Sequence, residues 1–187
     1  MGAPTVIVVP GLRDAAPGHW QTLLAERLQR EGRPVRCVPP IGRDELALAP
    51  RVAAIEREAL AAEGPIVVVA HSGGCVTVAH WAERTQRAVH GALLAAPPDF
   101  ESPLPAGYPT IEALRGAGWL PLPRRPLPFR SLVGASRDDP LARFERTEAL
   151  ARDWGAGLVD LGFVGHLNPA SGYGEWAHAG ALIAALD

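Results

Sequence analysis

The chain has 187 residues, a formal net charge of −2 and no apolar run long enough to cross a bilayer. All 18 of its cationic residues are arginines, which excludes chemistries that need a lysine: a Schiff base, a Ser–Lys dyad or a lysine-bearing phosphate loop. The arginines are scattered along the chain, which argues against a nucleic-acid surface.

The N-terminal residues lead directly into an apolar run, without a basic region or a cleavage site. We therefore expect a cytoplasmic protein without a secretion signal. The bias towards Arg, Ala, Gly and Pro favours a GC-rich bacterial source. Cys37 and Cys75 form neither a disulfide framework nor a zinc pattern, and we expect both to be small buried side chains.

Short β-branched runs alternate with helical patterns along the chain. The predicted strands are Thr5–Val9, Val35–Val38, Ile66–Ala70, Val89–Ala95, Pro128–Gly134 and Gly157–Leu161. Several are apolar at successive positions, which is typical of strands buried on both faces of a parallel sheet. The predicted helices are His19–Arg30, Pro50–Ala62, Gly73–Arg84, Leu141–Trp154 and Tyr173–Leu186. This alternation predicts an α/β fold with a doubly wound sheet.

The segment from Pro97 to Pro128 breaks the alternation. It contains nine of the 19 prolines and only one short helical candidate, Thr110–Gly116. A compact domain would use a short loop between two strands, and long ordered excursions are often functional. We expect a short cap or rim over a site, within a single domain that spans residues 1–187. A surface connection without a role is the alternative.

The sharpest local signal is a strand, a tight turn and a helix, with Ser72 at the turn. A nucleophile elbow has this arrangement and needs small residues two positions before and two positions after the serine. Those positions hold Ala70 and Gly74, where the usual pattern has glycine at both. We interpret Ser72 as a nucleophile, and an ordinary strand–helix turn is the alternative.

A serine hydroxyl becomes nucleophilic when a base takes its proton. In this architecture an acid and then a histidine follow the serine in chain order, each at the end of a later strand. His166 follows the last predicted strand and is the candidate base. Asp139, Asp138 and Asp99 are all candidates for the acid, and Asp139 ranks first because Pro140 after it can start the next helix.

The oxyanion of such a reaction needs two preorganised N–H donors. Gly73 directly follows the nucleophile and supplies one, and Leu12 is the best candidate for the other because Gly11 frees the turn before it. Gly11, His19 and His71 are candidates for the pocket wall, although the His71 side chain should point away from the hydroxyl. The remaining histidines are expected to be packed or exposed: His80, His90 and His178. No pair of histidines has metal-site spacing, so we expect neither metal nor cofactor.

These residues resemble the retinoblastoma-binding protein 9 and YdeN-like group of small serine hydrolases. The resemblance covers nearly the whole chain and is carried by Val9–Gly11, His19–Gln21, Ala70–Ser72, Gly74–Cys75, Leu94–Pro97, Leu127–Phe129, Ala135–Ser136, Asp138–Pro140, Trp154–Ala156, Gly165–Asn168 and Ser171–Trp176. It implies a reduced α/β-hydrolase fold: a three-layer α/β/α sandwich of about six parallel strands in the order 2-1-3-4-5-6, with a minimal cap. It also implies the triad Ser72, Asp139 and His166.

Two departures from the family accompany the resemblance. Gly73 stands where the family often has Leu, and the segment 39–50 lacks the Trp that many relatives carry. Retinoblastoma binding is associated with a Leu-x-Cys-x-Glu motif, which neither cysteine of this chain provides. We therefore expect no retinoblastoma-type partner.

The predicted function is hydrolysis of a small ester, or of an amide or thioester, through an acyl-enzyme on Ser72. A carboxylesterase-like activity (EC 3.1.1) is favoured, and an aminopeptidase-like amidase is the alternative within the same mechanism. The expected partner is a small-molecule acyl substrate, not nucleic acid or membrane, and the sequence indicates no oligomeric state. A binding or regulatory protein on a hydrolase scaffold is the competing hypothesis. Dinucleotide binding is disfavoured because the required glycines do not follow Gly11.

Overall fold

A computed structural model describes residues 3–13 and 16–187. Its strands form one parallel sheet: β1 (Thr5–Val9), β2 (Val35–Cys37), β3 (Ile66–His71), β4 (Val89–Ala95), β5 (Ser131–Ala135) and β6 (Gly157–Asp160). Their spatial order is β2-β1-β3-β4-β5-β6, and all neighbours are parallel. The predicted α/β-hydrolase order is thereby confirmed.

Every residue of the inner strands β1 and β3 is buried, which explains the apolar runs Val6–Val9 and Ile66–Ala70 within them. Successive side chains of a strand point to opposite faces of the sheet. Ile7 and Val68 pack into one layer, whereas Val6 and Val67 pack into the other. The sheet is therefore covered on both sides.

Helices form the two outer layers: α1 (Trp20–Arg30), α2 (Leu48–Ala61), α3 (Gly73–Ala82), α4 (Ile111–Gly116), α5 (Phe144–Asp153) and α6 (His178–Ala184). Helices α1 and α6 cover one face of the sheet, and α2, α3 and α5 cover the other. A single 3₁₀ turn, Pro169–Ser171, precedes α6. None of the helices in the described residues is long and apolar enough to span a membrane.

Two helices begin later than the sequence pattern predicts, because local hydrogen bonds hold the preceding residues in turns. The Asp139 carboxylate accepts a hydrogen bond from the Leu141 N–H at 2.8 Å, and α5 begins only at Phe144. The Tyr173 N–H donates to the Asn168 carbonyl oxygen at 3.1 Å, and α6 begins only at His178.

One cysteine expectation is wrong. Cys75 is buried in α3, but Cys37 is exposed at the end of β2. The reason is that β2 is a three-residue edge strand with a neighbour on one side only, so the layers do not enclose its last residue.

The proline-rich segment 97–128 shares a third apolar cluster with α2 and α3. This cluster consists of Leu48, Val76, Phe100, Leu114, Trp119 and Leu122, all buried. The Phe100 and Trp119 rings meet edge to face with centroids 5.3 Å apart, and the Trp119 indole donates to the Leu46 carbonyl at 2.7 Å. The segment is therefore packed against α2 and α3 through buried side chains.

Candidate active site

Ser72 sits in a strained turn between β3 and α3. Its backbone has φ 55° and ψ −131°, a region that costs a non-glycine residue on the order of 1–3 kcal/mol. A Cβ atom at Gly74 would lie 2.5 Å from the Pro10 carbonyl oxygen and 2.8 Å from that of Val9. Only glycine fits this position, whereas Ala70 is accommodated as a fully buried residue of β3.

The side chains of Ser72, His166 and Asp139 form a continuous hydrogen-bonded line. His166 Nε2 lies 2.8 Å from Ser72 Oγ, and His166 Nδ1 lies 2.9 and 3.0 Å from the two Asp139 oxygens. Because a carboxylate only accepts, Nδ1 carries the proton and Nε2 can accept from the serine hydroxyl. The His166 and Asp139 side chains are only 6% and 3% exposed, so water hardly competes for these bonds.

The other two candidate acids do not contact His166. Asp99 forms an ion pair with Arg146, with N···O distances of 2.8 and 3.1 Å. Asp138 faces away from the imidazole and accepts from the Ser136 hydroxyl and the Gly165 N–H. Of the three aspartates, the structure brings only Asp139 to the histidine.

The backbone around His166 is held by side chains that the sequence reasoning did not identify. The His166 N–H donates to Ser171 Oγ at 3.0 Å, and Ser171 Oγ in turn donates to Asn168 Oδ1 at 2.9 Å. Asp138 holds the preceding residue, Gly165, by its N–H at 2.7 Å. The available signal was the polar block Gly165–Asn168 with Ser171, which the resemblance contained without a stated role.

His71, next to Ser72 in the chain, also holds the backbone of His166. Its Nε2–H donates to the His166 carbonyl oxygen at 2.8 Å, so the side chain is directed to the backbone of His166 and not to the Ser72 hydroxyl. Burial lowers the pKa of His71 well below its usual range, and the proximity of His166 and His19 lowers it further. His71 is therefore neutral at pH 7.

His19 is the third imidazole of this cluster. Its ring centroid lies 4.8 Å from that of His71, which lies 5.0 Å from that of His166. Burial, and to a lesser extent His166, lowers the pKa of His19 to about 4. Its Nδ1 accepts from the Gln21 N–H at 3.2 Å, which leaves the proton on Nε2.

The Gln21 side chain connects β1 and β3, the strands that lead to the loop with Leu12 and to Ser72. This buried amide donates to the Val9 carbonyl of β1 at 2.9 Å and to the Val69 carbonyl of β3 at 3.1 Å. Sequence reasoning noted Gln21 only as part of the family resemblance. Its role is to hold the carboxyl ends of the two strands together.

The predicted oxyanion residues lie side by side. A Cβ atom at Gly73 would lie 3.5 Å from the Leu12 amide nitrogen and 2.9 Å from Leu12 Cγ. The Leu12 side chain therefore occupies the space that a side chain at position 73 would need. Gly11 approaches the nucleophile, because a Cβ there would lie 3.5 Å from Ser72 Oγ.

A cavity of about 210 Å³ opens onto the serine. Its wall combines the β1 loop, the three imidazoles, the segment 97–128 and the loop after His166: Gly11, Leu12, Arg13, Ala16, His19, Arg43, His71, Ser72, Pro98, Phe100, Leu104, Tyr108, Leu141, His166, Asn168, Pro169 and Ala170. The structure thus places Gly11, His19 and His71 on the wall of this cavity.

The remaining histidines lie away from the cavity. His80 is bonded to the Trp119 carbonyl oxygen at 3.1 Å, and His90 and His178 are exposed. Within residues 3–13 and 16–187, no group of three or more His, Cys, Asp or Glu side chains is arranged to hold a metal ion.

Residues 6–185 match the family described as Serine hydrolase. The chain belongs to this family. A search of curated proteins gives no match for this serine hydrolase.

Solved structures share the fold of this serine hydrolase. A YdeN-like hydrolase from Pectobacterium atrosepticum has a TM-score of 0.81 at 27% identity, over 97% of this chain and 89% of that one. The ydeN gene product of B. subtilis has a TM-score of 0.76 at 18% identity, over 98% of both chains. Est1E from Butyrivibrio proteoclasticus, with ferulic acid bound, has a TM-score of 0.70 at 14% identity, over 98% of this chain and 86% of that one. This serine hydrolase is thus YdeN-like, within the α/β-hydrolase superfamily.

Proposed function

We propose that this serine hydrolase cleaves small esters through an acyl-enzyme on Ser72, with His166 as the base and Asp139 orienting it. The observation that carries the proposal is the 2.8 Å contact between Ser72 Oγ and an imidazole whose other nitrogen is held by a buried carboxylate. A hydrogen bond of this length lets the proton leave the hydroxyl as the new C–O bond forms.

In the first half of the reaction, Ser72 Oγ attacks the ester carbonyl carbon and its proton passes to His166 Nε2. Asp139 stabilises the imidazolium that results. When the tetrahedral intermediate collapses, the C–O bond to the alcohol breaks and His166 returns its proton to the departing alkoxide. In the second half, water attacks the acyl carbon and gives a proton to His166 Nε2. The bond to Ser72 Oγ then breaks, His166 returns the proton to the serine, and the carboxylic acid leaves.

The negative charge on the carbonyl oxygen is met by the Leu12 and Gly73 amides. Loss of one such donor typically costs about 3–4 kcal/mol of transition-state stabilisation. The low pKa values of His19 and His71 keep both imidazoles neutral beside the triad. They therefore do not compete with His166 for the proton of Ser72.

The volume of the cavity favours a small acyl group. Its 210 Å³ is below the roughly 300–1,000 Å³ of pockets that enclose drug-sized ligands. We therefore infer a carboxylesterase-type activity (EC 3.1.1) on short esters. An aminopeptidase-like amide cleavage uses the same residues and requires a leaving amine that His166 can protonate.

Two measurements on the purified protein test the proposal. Wild type should be labelled by a fluorophosphonate probe and should hydrolyse 4-nitrophenyl acetate and butyrate. Ser72→Ala should abolish both, and His166→Ala should lower ester turnover by at least about 1,000-fold. Ser102→Ala, which removes a hydroxyl bonded to Asp99 outside the cavity, serves as the matched control and should retain both.

Labelling that survives Ser72→Ala would place the nucleophile elsewhere and refute the assignment. A folded wild type that is neither labelled nor active on a panel of esters, thioesters and aminoacyl amides would instead favour a binding protein on a hydrolase scaffold.

A further inference from the structure

The cavity at Ser72 is lined by two arginines and, among the described residues, by neither aspartate nor glutamate. Arg13 and Arg43 both belong to its wall. Asp139 lies behind His166 and its side chain is 3% exposed, so it does not face the cavity. Because His19 and His71 are neutral at pH 7, Arg13 and Arg43 carry the fixed positive charge on the described part of the cavity wall.

Arg13 is fixed at the cavity wall. Its guanidinium donates to the Gly107 carbonyl oxygen at 2.8 Å and stacks over the Tyr108 ring at 4.0 Å from the centroid. Both contacts are to uncharged groups of the segment 97–128. They hold the guanidinium in place without neutralising its charge.

Arg43 is the free group of the pair. It is exposed and makes neither an ion pair nor a hydrogen bond with any residue in the described part of the chain. Arg124 and Arg146, which do not line this cavity, are by contrast bound by carboxylates. No donor of the Arg43 guanidinium is therefore engaged by a residue within 3–13 or 16–187.

We propose that this serine hydrolase prefers esters that carry a carboxylate, which Arg43 binds while Arg13 adds a fixed positive charge at the same cavity. This inference rests on the proposed function of Ser72. A guanidinium and a carboxylate form paired charge-assisted hydrogen bonds, and the apolar wall from Phe100, Leu104 and Leu141 receives the chain between the carboxylate and the ester.

The test compares pairs of esters that differ only in charge. In the first pair the charge lies on the acyl side: the 4-nitrophenyl monoester of adipic acid carries a free carboxylate, and its methyl ester is the uncharged partner. In the second pair the charge lies on the leaving group: the butyrate ester of 5-hydroxy-2-nitrobenzoic acid carries a free carboxylate, and its methyl ester is the uncharged partner. For each pair the measured quantity is the ratio of kcat/KM for the acid to kcat/KM for the methyl ester.

Wild type should favour the acid of at least one pair by about 10- to 100-fold, the range expected for a charge-assisted hydrogen bond. Arg43→Gln should bring that ratio close to one, and 0.5 M salt should reduce it because Arg43 is exposed. Arg115→Gln provides the matched control, because Arg115 is also exposed and unpaired among the described residues but lies outside the cavity. It should leave the ratio unchanged.

A wild-type ratio near one for both pairs, or a preference that survives Arg43→Gln, would overturn the proposal while leaving Ser72 as the nucleophile. Absence of turnover for all four esters, together with absence of fluorophosphonate labelling, would overturn the proposed function itself. The two failures are therefore distinguishable.

Discussion

The elbow that holds Ser72 and the loop that holds His166 are built by different forces. At the elbow, backbone atoms approach so closely that a Cβ at Gly74 would lie 2.5 Å from the Pro10 carbonyl oxygen. Around His166, the chain is positioned by side chains: Ser171 accepts from the His166 N–H, Asp138 accepts from the Gly165 N–H, and His71 donates to the His166 carbonyl oxygen. The nucleophile is thus positioned by close backbone packing, and the base is positioned by hydrogen bonds.

This difference predicts different responses to mutation. A close-packed backbone has no room to adjust, so an added methyl group must displace the chain. A loop held by several hydrogen bonds loses them one at a time, so each substitution should have a graded effect.

Gly74→Ala should be the most damaging small substitution at the elbow. The added methyl group must push away the Pro10 carbonyl, and with it the loop that carries Gly11 and Leu12. We expect a loss of about 3 kcal/mol in the free energy of unfolding. We also expect a fall of about 100-fold in kcat/KM. Urea denaturation and ester kinetics measure both, and Gly116→Ala, at a position with open space around it, is the control.

Unchanged kinetics in a folded Gly74→Ala protein would show that the elbow adjusts more readily than its packing indicates.

The histidine cluster should make the protein less stable as the pH falls from 6.5 to about 4. His19 has a pKa of about 4 in the folded protein against 6.5 unfolded, so the unfolded chain binds more protons throughout this window. Stability is therefore present above pH 6.5 and is lost on acidification. We expect a loss of about 2 kcal/mol from His19, allowing for solvent near the cavity. Urea denaturation at several pH values measures it.

His19→Asn is the control for this pH effect. Asparagine can still accept the hydrogen bond from the Gln21 N–H at the start of α1, but it does not titrate. The fall in stability should become shallower in this variant. A wild-type curve that is flat between pH 6.5 and 4.5 would contradict the interpretation.

Ser171→Ala should weaken the base without unfolding the protein. It leaves the buried N–H of His166 without its acceptor and removes the bond to Asn168. We expect a loss of about 1.4 kcal/mol in transition-state stabilisation, which is a tenfold fall in kcat. Fluorophosphonate labelling should slow in parallel, while Ser102→Ala labels at the wild-type rate. Wild-type kinetics in Ser171→Ala would mean that His71 and Asp138 hold the loop by themselves.

Ala70→Gly should have the smallest effect, although it restores the usual elbow pattern. The Ala70 methyl group is fully buried in the sheet, so its removal leaves a small void and a more flexible strand residue. We expect a loss of about 1 kcal/mol in stability. Activity should stay within about twofold, because Gly74 and not position 70 makes the close approach at the serine. A large gain in kcat would show that Ala70 strains the nucleophile.

The sequence predicted the sheet and its order well, because buried parallel strands carry unbroken apolar runs such as Val67–Val69. It predicted helix starts less well, since the predicted helices begin at Leu141 and Tyr173, whose N–H groups are bonded to Asp139 and Asn168 in turns. The burial of Cys37 was predicted wrongly, because an apolar run does not reveal that its strand lies at an edge of the sheet.

For the candidate site, chain order and the ends of strands indicated Ser72 and His166 before any coordinates were known. Spacing could not separate Asp139 from Asp138, since adjacent residues of one loop differ only in the direction of their side chains. The structure separates them, as Asp139 faces the imidazole and Asp138 faces Gly165. The sequence showed Ser171 only as part of a polar block, and its bond to His166 could not be predicted from it because such hydrogen bonds depend on loop geometry.

The arrangement of Leu12 beside Gly73 has a consequence for the evolution of this serine hydrolase. The Leu12 side chain fills the space that a side chain at position 73 would need. The summed side-chain volume at positions 12 and 73 is therefore constrained, and the volume at each position alone is not. A large residue at position 73 would therefore require a smaller one at position 12. Among relatives with the same elbow, residue sizes at these two positions should vary inversely, and a double exchange should be tolerated better than either single one.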